Sequence, residues 1–228
     1  MTKGSNRSTG LAAALIGAAC LPVGAQAEDT GNRYGYPRDY HSEISAARAF
    51  ADTVAVRGKW GAPSEHPIVI DVRGIDEYAY GHPEGALSIP YPRIYRECTE
   101  RYADGNCKSG TTHTEVQTDA AFVDYVQQVI KDKDRPIYTL CRTGARSVLA
   151  ANLLAAAGYT NVRNIWEGFV GQYKTYEDSG PMDVDNDGAL TDNDKDGWRN
   201  YQKLPYDTRL LPQALYAPYA YKYYEFQQ

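Results

Sequence analysis

A strand, a short loop and a helix follow one another within 136–158, and this unit limits the fold more than any other part of the chain. Residues 136–140 are rich in apolar, β-forming side chains and lead into Cys141. After a short loop, an alanine-rich pattern from Val148 onward is helical, and Gly158 ends it. Because a strand that leads into a helix is the repeating unit of α/β folds, the sequence predicts a parallel sheet.

The loop of this unit carries the features of a reactive thiol. Ligands of open α/β sheets bind at the carboxyl ends of the strands, which is where Cys141 falls. The amides of residues 142–147 are expected to form a concave nest at the helix N-terminus, and Arg142 and Arg146 add positive charge. These groups favour the thiolate, the nucleophilic form of cysteine. The sequence therefore predicts thiolate chemistry at Cys141.

The segment Cys141-Arg-Thr-Gly-Ala-Arg146 resembles the active-site loop of the rhodanese-like family, in which a cysteine is followed by a short loop that ends in arginine. Upstream residues are similar to the family signature in order and spacing: Asp71, Val72, Arg73, Glu77, Gly81, His82, Gly85, Ala86, Ile89 and Pro90. The turn at 166–169 is similar to the one that closes such a domain. The resemblance covers 41–172 and implies an α/β fold, a rhodanese-like parallel β-sheet with helices on both faces.

The same resemblance implies sulfurtransfer through a persulfide of the catalytic Cys141. The expected partners are a small sulfur-donor anion such as thiosulfate and a thiol or other thiophilic acceptor. No cofactor is implied for catalysis, and Asp71 and Arg73 are expected to support the site. The two loop arginines would bind the donor's oxyanion, while the loop amides would stabilise the persulfide. The substrate-binding residues are thus Arg142, Thr143, Gly144, Ala145, Arg146 and Ser147.

Two other classes of function stay open. Relatives with a loop one residue longer are phosphatases or arsenate reductases, and the six-residue loop favours sulfur because the extra residue makes room for a tetrahedral oxyanion. A binding or redox-sensing module could keep the pocket without turnover, and the intact Cys141 argues only against its simplest inactive form. A Cys/His pair with His82 is not favoured, since the resemblance gives His82 a packing and hydrogen-bonding role.

The N-terminus has the pattern of a signal peptide. Two basic residues precede the apolar run 11–21, and Ala25-Gln-Ala27 is a small-x-small cleavage pattern. The apolar run is about half of the roughly 20 residues that span a bilayer. We therefore predict a signal peptide over 1–27 and an exported protein, with the periplasm as the expected compartment; Cys20 leaves lipidation open as an alternative.

Export determines which cysteines the mature chain keeps. Cys98, Cys107 and Cys141 would remain, an odd number in an oxidising compartment. Cys98 and Cys107 are nine positions apart around a polar loop with a turn signal at Asp104-Gly105. We therefore predict a disulfide between them and a free Cys141. The alternatives are that both are small core residues, or that one relays sulfur from Cys141.

The rest of the chain divides by pattern. Further elements expected are a helix over 42–54, strands over 68–71, 87–90 and 161–165, a helix over 118–131, and an irregular connection over 91–114. The expected units are a linker over 28–40, a rhodanese-like domain over 41–175, an Asp-rich insert over 176–200 and a Tyr-rich tail over 201–228, the last two forming an irregular C-terminal extension. The tail is expected to wrap over the domain, with binding of a protein partner as the alternative.

The Asp-rich insert carries the excess negative charge: eight acidic residues stand against one base over 177–197, a net of −7, in a chain whose net charge is −5 with the two basic residues of 1–27 and −7 without them. The remainder is close to neutral, which gives no indication of binding to nucleic acid or to a membrane surface.

Residues 183–194 fit the template of an EF-hand-like calcium loop, with oxygen ligands at positions 1, 3, 5 and 12 and glycine at position 6. Position 12 is aspartate rather than glutamate, and Gly180-Pro181 precludes a long entering helix. The expected ligands of a structural Ca²⁺ are Asp183, Asp185, Asp187 and Asp194, with Asp192 and Asp196 as further candidates. A hydrated acidic turn is the alternative.

Overall fold

A computed structural model describes residue 1 and residues 34–53, 66–175 and 180–227. The elements within these residues are β1 (Ser42–Ile44), α1 (Ala46–Asp52), β2 (Ile68–Asp71), α2 (Ile75–Tyr78), β3 (His82–Pro83), β4 (Leu87–Ser88), β5 (Arg93–Arg101), β6 (Cys107–Val116), α3 (Asp119–Val129), β7 (Ile137–Leu140), α4 (Ala145–Ala156), β8 (Val162–Ile165), β9 (Tyr206–Asp207) and α5 (Lys222–Glu225). Short 3-10 turns lie at Asp192–Asp194, Pro212–Ala214 and Ala217–Tyr219.

A five-stranded parallel sheet in the order β1-β8-β7-β2-β4 forms the centre of the fold. Strand β7 lies between β8 and β2, and all four of its side chains are buried, as expected of a central parallel strand. The register pairs Asp71 with Leu140, so the ends of β2 and β7 lie side by side. The predicted α/β class is confirmed, and the sheet brings Asp71 and Cys141 to one edge.

Both faces of the sheet are covered, because successive residues of a strand point to opposite sides. Ile70 belongs to a core with Phe122 of α3 and Leu154 of α4. Its neighbour Val69 belongs to a second core with residues of α1 and with Trp198 from the C-terminal extension. The extension therefore completes one of the two hydrophobic layers.

The prediction of an irregular connection over 91–114 is wrong, since β5 and β6 form a long antiparallel hairpin there. The Cys98–Cys107 disulfide joins the two strands with a Cα–Cα distance of 5.9 Å. Most of β6 faces solvent and carries threonine, serine and lysine rather than alternating apolar residues. Because the apolar alternation that indicates a half-buried strand is absent, the pattern gave no strand signal.

The helix expected over 42–54 is too long at its start. Ser42–Ile44 forms β1 at the edge of the sheet, paired with β8, and the helix begins only after Ser45. The Ser45 hydroxyl accepts a hydrogen bond from the Arg48 amide at 3.2 Å, which caps α1. The apolar spacing of Ile44 and Phe50 fits a helix, but Ile44 is buried as a strand residue.

The Tyr-rich tail packs along the hairpin and beside β4. The Tyr223 hydroxyl donates to Ser88 Oγ at 2.7 Å, and Tyr219 donates to Glu115 of β6 at 3.0 Å. Lys222 Nζ lies 2.8 Å from a carboxylate oxygen of Glu97. These contacts hold the tail on the domain through polar ends of largely apolar side chains.

The segment assigned to a signal peptide lies outside the described residues apart from residue 1. Within the ranges that are described, no helix has both the length and the apolar character needed to cross a membrane.

Candidate active site

The loop from 141 to 147 folds around the sulfur of Cys141. Gly144 takes a φ of 100° just before α4, and its amide donates to Cys141 Sγ at 3.1 Å. The Ser147 hydroxyl lies 3.4 Å from Sγ and 2.9 Å from the carbonyl oxygen of Gly144. Cys141 is only 1% exposed. The Gly144 amide, which points at the buried sulfur, stabilises negative charge on it, while the single Ser147 hydroxyl proton can serve either the sulfur or the Gly144 carbonyl oxygen.

A second loop and the C-terminal extension brace the active-site loop from behind. The amides of Phe169 and Val170 donate to the carbonyl oxygens of Cys141 and Arg142 at 2.8 and 2.9 Å. The amide of Trp198 in turn donates to Gly168 O at 2.9 Å, and the Trp198 side chain is fully buried. The extension therefore helps to fix the backbone that holds the sulfur.

Asp71 and Arg73 form an ion pair with no exposed side-chain surface at the edge that carries Cys141. Arg73 donates through Nε and Nη2 to both carboxylate oxygens, and Nη2 also reaches Gly81 O at 2.7 Å. Its guanidinium lies 4.0 Å from the centre of the Phe169 ring. Burial opposes the charge of Arg73, but Asp71 outweighs it and raises the pKa of Arg73. This pair ties β2 to the loop that braces Cys141.

Arg146 is held by the buried Glu77 of α2. Its two terminal nitrogens lie 2.7 and 2.8 Å from the two carboxylate oxygens of Glu77, a bidentate pair. Burial disfavours the Glu77 carboxylate, but Arg146 lowers the pKa of Glu77 well below its usual range. Burial likewise opposes the charge of Arg146, and Glu77, with smaller effects of Cys141 and Asp71, raises the pKa of Arg146. The cation is therefore fixed and lies within electrostatic reach of the sulfur.

Arg142, the other loop arginine, is held by the tip of the hairpin. Its Nε donates to a carboxylate oxygen of the buried Asp104 at 2.6 Å. The Arg199 guanidinium reaches Ala103 O in the same turn at 3.3 Å, so the extension also contacts the tip. Both arginines that the sequence assigns to the donor's oxyanion are thus paired with carboxylates.

The hairpin adds charged residues that sequence reasoning missed. Arg93 and Arg101 of β5 lie against Glu77 and Asp76 of α2, with N–O distances of 3.5 and 3.0 Å. Burial and the neighbouring Glu77 raise the pKa of Asp76 to about 6, against the opposing effect of Arg101. The signal available in the sequence was the row of three arginines at 93, 96 and 101 in a segment interpreted as irregular.

His82 lies outside the sulfur's immediate surroundings. Its ring stacks on Tyr78 with centroids 3.7 Å apart, and Nδ1 lies 3.0 Å from the Tyr78 carbonyl oxygen. Burial lowers the pKa of His82, which favours the neutral ring. The geometry is that of a packing residue.

The Asp-rich loop brings three of the expected calcium ligands together. Oxygens of Asp183, Asp185 and Asp187 lie within 4.8 Å of one another, and the Gly188 amide donates to Asp183 at 2.7 Å. This all-oxygen set fits a hard cation. Asp194, by contrast, is buried and accepts from the amides of Val184 and Thr191, both at 2.7 Å.

The two further candidates make other bonds. Asp192 pairs with Lys195 at 2.6 Å, and Asp196 accepts from the Gln172 amide at 2.9 Å. They stabilise the loop's fold in the described part of the chain.

Residues 58–174, which are 117 of the 228 residues, match the family model of the rhodanese-like domain. The chain therefore belongs to the rhodanese-like family. Thiosulfate sulfurtransferase 16, chloroplastic, of Arabidopsis thaliana is 30% identical over 111 residues, which are 49% of this chain and 74% of that protein. Thiosulfate sulfurtransferase 18 of the same plant is 31% identical over 101 residues, covering 44% of this chain and 62% of that protein.

Other comparisons are more partial. The chain spans about half of the length of several curated relatives, for example 45% of the senescence-associated protein DIN1 of Raphanus sativus, which is 32% identical over 101 residues and matches 44% of this chain. Among solved structures, Rv0390 from M. tuberculosis has 21% sequence identity and a TM-score of 0.43, over 75% of this chain and 99% of that one.

Proposed function

We propose that this protein is a sulfurtransferase that moves sulfane sulfur from a thiosulfate-type donor through a persulfide on Cys141. The observation that carries the proposal is the sulfur itself, which accepts the Gly144 amide at 3.1 Å beside the Ser147 hydroxyl and the fixed charge of Arg146. Relatives named thiosulfate sulfurtransferases support the choice of sulfur chemistry.

Two displacements at sulfur complete the reaction. The Cys141 thiolate attacks the outer sulfur of thiosulfate, the donor's S–S bond breaks, and sulfite leaves with the bonding electron pair. The negative charge then resides on the outer persulfide sulfur. An acceptor thiolate attacks that sulfur, becomes a persulfide itself and returns Cys141 to the thiolate. No oxidant or reductant is consumed in either step.

Mass spectrometry of the intact protein tests the first step. After exposure to thiosulfate the wild type should gain the mass of one sulfur atom, and a thiol acceptor should remove it. Cys141→Ser should gain nothing, because serine lacks the nucleophile. A parallel assay with phosphate esters addresses the alternative chemistry: an unmodified Cys141 accompanied by phosphate release would overturn the proposal, and neither signal would favour a binding or redox-sensing module.

We also propose that the protein works after export. The Cys98–Cys107 disulfide supports an oxidising compartment such as the periplasm. The apolar run and cleavage pattern of the first 27 residues agree with that setting. In such a compartment the burial of Cys141 would protect its thiolate from oxidation.

A structural Ca²⁺ at Asp183, Asp185 and Asp187 is a further proposal, supported by their convergent oxygens. Calcium at about tenfold above its Kd should raise the melting temperature by about 3–6 °C. The double variant Asp183→Ala with Asp187→Ala should lose that rise. Asp124→Ala with Asp132→Ala removes the same charge from exposed positions and should keep it. Absence of a calcium heat in titration calorimetry of the wild type would refute this site.

A further inference from the structure

An excess of positive charge lies where α2, the β5–β6 hairpin and the active-site loop meet. Among the described residues that form contacts there, and apart from the Asp71–Arg73 pair, five arginines stand against three carboxylates, in a chain whose net charge is −5. The arginines are Arg93, Arg96, Arg101, Arg142 and Arg146, and the carboxylates are Asp76, Glu77 and Asp104. The Cys141 thiolate offsets one of these charges, so the site keeps a net positive charge that attracts an anionic donor.

The five arginines differ in how firmly the protein already binds them. Asp104 holds Arg142 at 2.6 Å, and Glu77 holds Arg146 through two bonds. Arg101 donates to Asp76 at 3.0 Å and to Gly105 O at 2.7 Å, and Arg96 donates to Asn106. Within the described part of the chain, the ion pair of Arg93 is a 3.5 Å contact to the same Glu77 oxygen that Arg146 already occupies.

Of the two arginines that contact Glu77, Arg93 also has the more exposed side chain. Its side chain is 29% exposed, compared with 19% for Arg146. Because two cations share one carboxylate, Arg93 lies in a positive field: burial and then the charge of Arg146 lower its pKa. A second anion beside Arg93 would relieve this repulsion, and a guanidinium has donors left for it.

We propose that Arg93, from the hairpin rather than from the active-site loop, binds the oxyanion end of a dianionic sulfur donor and sets a preference for dianions. The inference rests on the proposed sulfurtransfer. The hairpin presents Arg93 beside Arg146, which lies in the first turn of α4, directly after the loop that holds Cys141. The donor's oxygens bind Arg93 while its outer sulfur faces the thiolate.

Two donors that differ in charge test this role. Thiosulfate is a dianion and methanethiosulfonate a monoanion; both lose their outer sulfur to the thiolate, with sulfite or methanesulfinate as the leaving group. In Arg93→Gln the KM for thiosulfate should rise at least about tenfold, and the ratio of kcat/KM for thiosulfate to that for methanethiosulfonate should fall at least about fivefold. Arg93→Lys should keep most of this ratio because it keeps the charge.

Arg135→Gln is the matched control. It removes an arginine that stands just before β7, at the end of the strand opposite to Cys141, and it should leave both donors unaffected. If the wild type forms persulfide and Arg93→Gln keeps the wild-type ratio, the role of Arg93 is refuted while sulfurtransfer stands. If the wild type forms no persulfide with either donor, both proposals fail.

Discussion

Asp71→Asn should lower the free energy of unfolding by about 3–5 kcal/mol, because it leaves Arg73 as an uncompensated charge in the interior. Both side chains of the pair have 0% exposure. The remaining direct contacts of Arg73 among the described residues are a carbonyl oxygen and an aromatic ring, and its Nη1 is buried without a hydrogen-bond partner there. Glu77 and Asp104 also act on its charge, but each is already paired with another arginine. None of these groups can replace the lost negative charge.

The chain contains its own control for this substitution. Asp207 and Arg209 have the same Asp-x-Arg spacing and similar bonds, but Arg209 is 73% exposed and Asp207 is 12% exposed. Exposed ion pairs contribute little to stability because water screens them. Because the Arg209 end of this pair is open to water, Asp207→Asn should lower the melting temperature by no more than about 4 °C, whereas Asp71→Asn should lower it by on the order of 10 °C.

Chemical denaturation of the two variants beside the wild type measures the difference. Equal losses of unfolding free energy in the two variants would show that burial does not determine how much the Asp71–Arg73 pair stabilises the protein.

The parts of the site that could be predicted from the sequence are formed by residues close to one another in the chain. The strand, loop and helix over 136–158 could be predicted because their periodicity and turn residues lie within one segment. The amide of Gly144 and the hydroxyl of Ser147 reach Cys141 across three and six positions. Such contacts follow from the conformation of a single loop, and the expectation of a nest around the sulfur needs no distant residue.

The partners of the loop arginines could not be predicted in the same way. Arg146 meets Glu77 across 69 positions and Arg142 meets Asp104 across 38. Periodicity carries no information about which distant carboxylate meets which arginine, because that depends on how the sheet and hairpin are arranged. The role of Trp198 could not be predicted for the same reason: the sequence places it in an irregular extension, yet its side chain lies in the core.

Gly144→Ala should reduce the rate of persulfide formation by about 100-fold, since a shift of about 1 Å at a reacting group can have that effect. A Cβ at Gly144 would lie 2.1 Å from the backbone oxygen of Trp166 and 2.7 Å from the Tyr34 hydroxyl. The φ of 100° already disfavours alanine, by about 1–2 kcal/mol. Trp166 is fixed beside β8, so the loop must move, and the amide that donates to Cys141 Sγ moves with it.

Gly158→Ala distinguishes the effect of backbone strain from that of the steric clash that a Cβ at residue 144 would make. Gly158 has a φ of 92° just past the other end of α4, but a Cβ there would meet nothing within 4 Å. It should cost about 1–2 kcal/mol for the same backbone reason and leave the rate of persulfide formation within about twofold of wild type. Gly144→Ala should cost a further 1–3 kcal/mol, approximately, from overpacking. The rate of persulfide formation is measured by stopping the thiosulfate reaction at set times and weighing the protein by mass spectrometry, and unfolding curves of both variants give their stability. An unchanged rate in Gly144→Ala would show that the amide at 144 does not hold the reacting sulfur.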